Sequence, residues 1–242
     1  MFSRTGQAMR LTDDGRNFYD AVAPHLETLA AAVEAQSENL HLLRLRLGVL
    51  PLFGTQRLFP RLQELRQRHP RLHIDIDTGP HLLDRVGDTL DAAIVITTDP
   101  GPGFHKVRLD HNMVHAICSA SLVQKIGIEP GIEALSEQTF LIHTDMPLSF
   151  DAWKAALGLQ ALQPVAIDHY DSGQLILEAA AQGLGIAIMH DDHIARNNDP
   201  RLAKLHPIPI ESPYSYWFTC RTIDLEMRPV RLFHDWLVEA GL

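Results

Sequence analysis

The chain has 242 residues, 45% of them hydrophobic and 21% charged, a composition that excludes a disordered tail. At roughly 150 residues per domain it predicts one or two globular domains. Thirty acidic residues outnumber 21 basic ones, and the net charge of −9 repels phosphate backbones, so any nucleic-acid contact must be local.

From Thr12 to about Leu43, apolar residues at Phe18, Val22, Leu26, Leu29, Val33 and Leu40 stay on one face of an α-helix. Thr12 is the expected N-cap, and Asp13 and Asp14 place negative charge at the positive end of the helix dipole. Pro24 lacks the N–H that the ladder would use, which predicts a kink near 20–22 with the helix continuing beyond it. Such a helix would be about 45 Å long, far longer than a compact domain usually holds. Its near-heptad stripe is therefore expected to pack on the same stripe of a second copy. The alternative is that it lies back on its own chain.

Beyond Leu43 the period changes to two. Leu45, Leu47 and Val49 alternate with Arg44, Arg46 and Gly48, which predicts a strand ended by Pro51 and Gly54. A helix is expected from about Thr55 to Arg68, a strand over Leu72, Ile74 and Ile76, a helix over about 82–90, and a buried strand at 92–96. This β-α-β-α-β order predicts a parallel sheet with helices on both faces. From about Leu122 the pattern restarts, with strands at 140–142, 165–169 and 185–189, helices at 151–157 and 172–182, and finally a strand at 214–220 and a helix at 229–239. Two α/β lobes on a tight hinge fit that order, and no low-complexity linker separates them.

Catalytic motifs are absent: there is no G-x-S-x-G, no P-loop, no H-E-x-x-H and no paired C-x-x-C. The Gly183-Leu184-Gly185 run follows a helix instead of a strand, so it cannot set a pyrophosphate on a helix start. The chain is read as not an enzyme. The histidine pairs His190 and His193, and His111 and His115, each supply at most two ligands where zinc needs three or four, so no metal and no cofactor is expected. The two cysteines, with no charged start ahead of an apolar core and no run near the ~18 apolar residues of a membrane span, read as cytoplasmic, with reduced thiols and no membrane partner.

Small polar residues fall at the strand ends: Pro51 to Thr55, Thr97 and Thr98, His143 and Thr144, and Asp171, Ser172 and Gly173. Ligands of open parallel sheets bind outside the carboxyl ends of the strands. Thr55 and Ser172 are expected at helix N-termini, where free N–H groups favour a carboxylate or another anion. A small anionic ligand between two lobes is the resulting expectation, against the reading that these residues only cap helices and turns.

These residues also carry a resemblance. The opening FSRTGQAMRLTDDG, with Phe2, Arg4, Leu11, Thr12 and Gly15, resembles the wing and linker-helix start of LysR-type transcriptional regulators. The segment from Leu47 to Ile76, with Leu58, Pro60, Leu62, His69 and Pro70, resembles the first β-α-β of that family's effector domain, and LDAAIVI, DHYDSGQLILEAAAQGLGIAIM and FHDWLVEAGL continue the match. The similarity spans the chain and is nearest to the subgroup resembling the glycine cleavage activator. It implies a wing remnant at 1–11, a linker and dimerisation helix at 12–43, and an effector domain at 44–242 of the type 2 periplasmic-binding-protein-like, two-lobed α/β class. Lobe I would take about 44–117 and 217–242, and lobe II about 118–216, with crossovers near 116–119 and 212–217.

By the same resemblance the effector-binding residues are Pro51, Phe53, Thr55, Thr97, Thr98, His143, Asp171, Ser172 and His190. Arg4 would approach the DNA backbone, and Val22, Leu26, Leu29, Val33 and Leu40 would face a partner in a homodimer or homotetramer. Only eleven residues precede Thr12, too few for the family's helix-turn-helix, so DNA is expected as a partner only with that missing unit. The implied function is control of transcription by a small metabolite. The rivals are a solute-binding protein of a transport system, and a small enzyme on the same fold.

Overall fold

The computed structural model describes residues 2–5, 8–37, 42–191, 193–194 and 199–242. The chain divides into two compact units, Met1–Leu43 and Arg44–Leu242. Leu40 lies outside the described residues, as do the side chains of Arg4 and Val33.

In the first unit β1 (Phe2–Thr5) and β2 (Ala8–Leu11) pair antiparallel, with Phe2 opposite Leu11. Helix α1 (Asp13–Ser37) follows. The Gly15 N–H donates to Thr12 Oγ1 at 3.1 Å and the Arg16 N–H to the Thr12 carbonyl at 2.8 Å, so Thr12 closes the helix start with both its side chain and its backbone. The helix runs through Pro24, whose carbonyl accepts the Thr28 hydroxyl at 2.7 Å. It does not extend to Leu43, which is already the first residue of a strand. Phe18, Leu26 and Leu29 are exposed, and Val22 is half-buried.

In the second unit the apolar positions of β3 (Leu43–Val49) alternate as their period requires, with Leu45 and Leu47 fully buried and Arg44 and Arg46 exposed. It lies in a five-stranded sheet between β4 (Leu72–Asp77) and β5 (Ala92–Thr97). Beyond β5 come β13 (Ser215–Arg221) and then β6 (Phe104–Arg108) at the edge. The second sheet runs β11 (Leu202–Lys204), β7 (Met113–Ser119), β10 (Ile186–His190), β8 (Thr139–His143) and β9 (Ala166–Tyr170), with β12 (Ile210–Glu211) also on β7.

Neither sheet is purely parallel. β3 and β5 run parallel, as do β10, β8 and β9, but β13 and β7 are antiparallel to their neighbours. Each of these reversed strands is the first after the chain has crossed between sheets, and it enters from the opposite end. The crossings lie at 109–112 and 212–214, so the first comes before β7 instead of within 116–119, and all of β7 belongs to the second sheet.

Helices cover both sheets, with α4 (Ala120–Ile126), α5 (Ile132–Ser136) and α6 (Leu148–Ala156) on the second. The apolar stripe of α8 (Arg228–Ala240) buries Val230, Phe233, Trp236 and Leu237. Phe140, Phe150 and Trp153 form the centre of the second lobe, each burial contributing roughly 1.5–3 kcal/mol. The segment expected to be helical over 82–90 holds only a 3-10 turn at Leu83–Arg85, because Gly87 adopts φ +87 and turns the chain so that Leu82, Val86 and Leu90 all face the sheet.

Candidate functional site

The sequence places a helix start at Thr55, but the helical run begins at Pro51. It comprises α2 (Pro51–Phe53), a π turn at Gly54–Leu58 and α3 (Phe59–Arg68). Proline is suited to the first helical position, and Gly54 does not break the helix because the wider π turn accommodates it. Thr55 is consequently one turn inside, its hydroxyl donating to the Pro51 carbonyl at 2.9 Å. The backbone N–H groups at the start of this run are those of Leu52 and Phe53, and no side chain caps them.

A second helix start faces it from the other lobe. α7 (Gly173–Ala181) follows β9 through Asp171 and Ser172, and the Ser172 side chain makes no capping hydrogen bond. The two starts meet: a Cβ on Gly173 would come within 2.7 Å of Leu52 Cδ1, and Leu52 packs into the second lobe's core with Ile176, Leu177 and Met189. Two helix N-termini from opposite lobes therefore converge beside Pro51 and Ser172, each adding positive potential.

The other expected residues divide into two groups. Thr97 ends β5 opposite Ser215 of β13, and its carbonyl accepts the Trp217 indole N–H at 3.1 Å; Thr98 next to it is exposed. His143 ends β8, with Nδ1 accepting the Asp145 N–H at 3.2 Å. Burial pushes its imidazole below the usual range, while Asp145 and Asp171 pull it back up. These residues stand at strand ends on the open side of each sheet. Phe53 and His190 are instead buried, at 1% and 2% exposure: Phe53 packs on Tyr216 with ring centroids 4.9 Å apart, and His190, although it ends β10, has Nε2 3.0 Å from Ser212 Oγ. As arranged here they form the hinge wall instead of an accessible surface.

That hinge contains residues which sequence reasoning missed. Arg57 Nη2 lies 2.6 Å from Asp110 Oδ2, and the guanidinium sits 5.3 Å from the Phe53 ring and 5.0 Å from the Tyr216 ring. The Tyr216 N–H donates to Asp110 Oδ1 at 2.9 Å, and His193 Nε2 lies 2.9 Å from the Tyr216 hydroxyl. Only the position of Arg57, one turn after Phe53 on the buried side of the helix, could have marked it in the sequence. A cavity of about 370 Å³ beside α7 is lined by Leu52, Thr55, Gln56, Gln174, Leu177, Glu178, Asp199 and Arg201, so Thr55 opens onto it.

Among the described residues no three His, Cys, Asp or Glu side chains converge to hold a metal. His111 is exposed, and buried His115 instead meets Asp191 at 3.1 Å. Cys118 and Cys220 are free and buried, and burial pushes both thiols up to about 11.

The LysR substrate binding domain family matches residues 40–241, most of the chain. This chain belongs to that family. Among curated relatives it is 25% identical over 243 residues to the transcriptional activator AmpR of Enterobacter cloacae, covering 99% of this chain and 81% of AmpR. It is 28% identical over 190 residues to the regulator TrpI of Pseudomonas aeruginosa, covering 78% of this chain and 64% of TrpI. The effector domain of AmpR from Pseudomonas aeruginosa superposes with a TM-score of 0.72 at 23% identity, over 83% of this chain and 96% of that domain. CrgA of Neisseria meningitidis, a LysR-type regulator, gives 0.67 at 19% identity over 99% of this chain and 83% of CrgA. The two-sheet unit is thus a LysR effector-binding domain of the type 2 periplasmic-binding-protein-like class, and the LysR identification made on the motifs holds. The relatives are transcription regulators, which disfavours the transport reading.

Proposed function

We propose that this chain is the effector-sensing and oligomerising part of a LysR-type transcriptional regulator, of the kind resembling the glycine cleavage activator, and that a small anionic metabolite binds between its two lobes. The observation that carries this reading is the meeting of two helix N-termini, at Pro51 and Gly173, on opposite lobes and without side-chain caps. Pro51, Thr55, Thr97, Thr98, His143 and Ser172 surround the anion. Asp171, beside His143, supplies an acceptor for an ammonium group, so an amino acid fits as well as a simple carboxylate.

Binding favours one lobe closure, and the stripe carrying Val22, Leu26 and Leu29 joins two copies, so closure in one changes the geometry of the pair. The wing at 1–11 with Arg4 would meet DNA only alongside a helix-turn-helix. The protein acts in the cytoplasm, and its ligand is sensed, not turned over. Thermal shift against carboxylates and amino acids tests the reading: at least one raises Tm in the wild type, and Thr55→Ala with Ser172→Ala removes that rise. An undiminished rise in the double variant overturns the site assignment.

A further inference from the structure

The two helix starts offer an anion only partial positive charge, and the strand ends described above add neutral donors, a depressed imidazole and a carboxylate but no full positive charge. The chain crosses between sheets immediately after Arg108, the last residue of β6, and returns immediately before Ser215, the first of β13. Arg108 lies opposite Trp217 in the β6–β13 register, and Ser215 lies opposite Thr97 in the β13–β5 register, so these four residues gather at one corner of the first sheet, beside both chain crossings.

Arg108 is held from behind. Its Nε donates to Ser215 Oγ at 2.9 Å and to the Asp110 carbonyl at 3.0 Å, and its guanidinium carbon lies 6.0 Å from the centroid of the Trp217 ring. The nearby carboxylates are taken: Asp110 pairs with Arg57, and Asp99 with Lys106. Arg46, Arg57, Arg85 and Arg221 each meet a carboxylate. Among the described residues Arg108 has none within 4.0 Å, and its two Nη groups have no hydrogen-bond partner. A guanidinium fixed through Nε presents those two groups as a planar fork that matches two oxygens of one carboxylate.

We propose that Arg108 is the residue that takes the effector's carboxylate, positioned for it by Ser215 and the Asp110 carbonyl. The inference rests on the reading above that a small anion binds between the lobes, and it narrows that anion to a carboxylate. One arginine with one hydroxyl beside it balances a single negative charge, whereas a phosphate dianion would need a second cation, and Lys106 is already bound to Asp99.

The test is calorimetric titration of the full chain with benzoate, succinate and glycine, each against its amide: benzamide, succinamide and glycinamide. The wild type is expected to bind at least one acid and to bind its amide at least tenfold more weakly. Arg108→Gln should weaken binding of that acid about ten- to a hundredfold, the range of charge-assisted hydrogen bonds, without further weakening the amide. Arg108→Lys should restore part of the affinity, since an ammonium keeps the charge but loses the fork. Ser172→Ala on the opposite lobe serves as the reference. If Arg108→Gln binds the acid as tightly as the wild type while Ser172→Ala loses affinity, the assignment of Arg108 is wrong and the cleft reading stands. If no acid binds the wild type, both are overturned.

Discussion

Replacing Arg57 by alanine probes the joint on which lobe movement would turn. The side chains of Arg57 and Asp110 are 9% and 13% exposed, and their contact is 2.6 Å. Truncation would leave the Asp110 carboxylate buried, still accepting the Tyr216 N–H but without its cation. Removing one partner of a buried pair costs about 3–5 kcal/mol, because the remaining charge stays desolvated. For a unit of this size each kcal/mol lowers Tm by about 2–4 °C, so Arg57→Ala should melt about 6–20 °C below the wild type. Urea unfolding followed by tryptophan fluorescence gives the free energy directly, since Trp153 and Trp236 are each 1% exposed and report the second and first lobes respectively. Combining Arg57→Met with Asp110→Leu removes both charges and should recover at least half the loss. A loss below about 1 kcal/mol in Arg57→Ala, or a double variant no more stable than the single one, would refute the reasoning.

The two thiols, raised to about 11, should not react with Ellman's reagent at pH 8 in the native chain and should both react in denaturant; a fast native thiol would contradict their burial. Burial depresses His105, His115 and His143 below the 6.5 of an unfolded histidine, with His234 adding to the effect at His105 and Lys204 at His115. Below about pH 6.5 the unfolded chain therefore binds more protons than the native one, and stability should be full above that pH and fall as pH drops toward 5. A urea midpoint that stays level between pH 7 and 5 would show otherwise. Gly185→Ala would set a Cβ 2.4 Å from the Thr139 carbonyl oxygen, where β10 enters the sheet, and should cost at least the ~1–3 kcal/mol of an overpacked core; an unchanged Tm would be incompatible with that approach.

The strands that read correctly are those whose burial follows a simple rule. β3 alternates between core and solvent, and β5 and β10 are short apolar runs buried on both faces. β6 escaped notice because as an edge strand it is half-buried from Phe104 to Val107 and exposed at Arg108, and Phe-His-Lys-Val-Arg shows no clean alternation. β11 and β12, at three and two residues, are too short for a period to appear. The helix start was misplaced by reading Pro51 and Gly54 as breakers, when one is suited to a first turn and the other to a π turn. At the site, strand ends were legible because apolar runs stop at small polar residues. Partners across the fold were not: Arg57 meets Asp110, and Arg108 meets Ser215, 107 positions away, and no local pattern encodes either pairing.

The most direct test of the central claim, a small anion held between two lobes, is a crystal structure of the full chain with a carboxylate selected by thermal shift. The account predicts density against Pro51, Thr97 and Ser172, with an oxygen pair on the Arg108 fork. Density instead against Glu178 and Arg201, at the part of the α7 cavity away from Thr55, with Thr97, Ser172 and the Arg108 fork unoccupied, would contradict it.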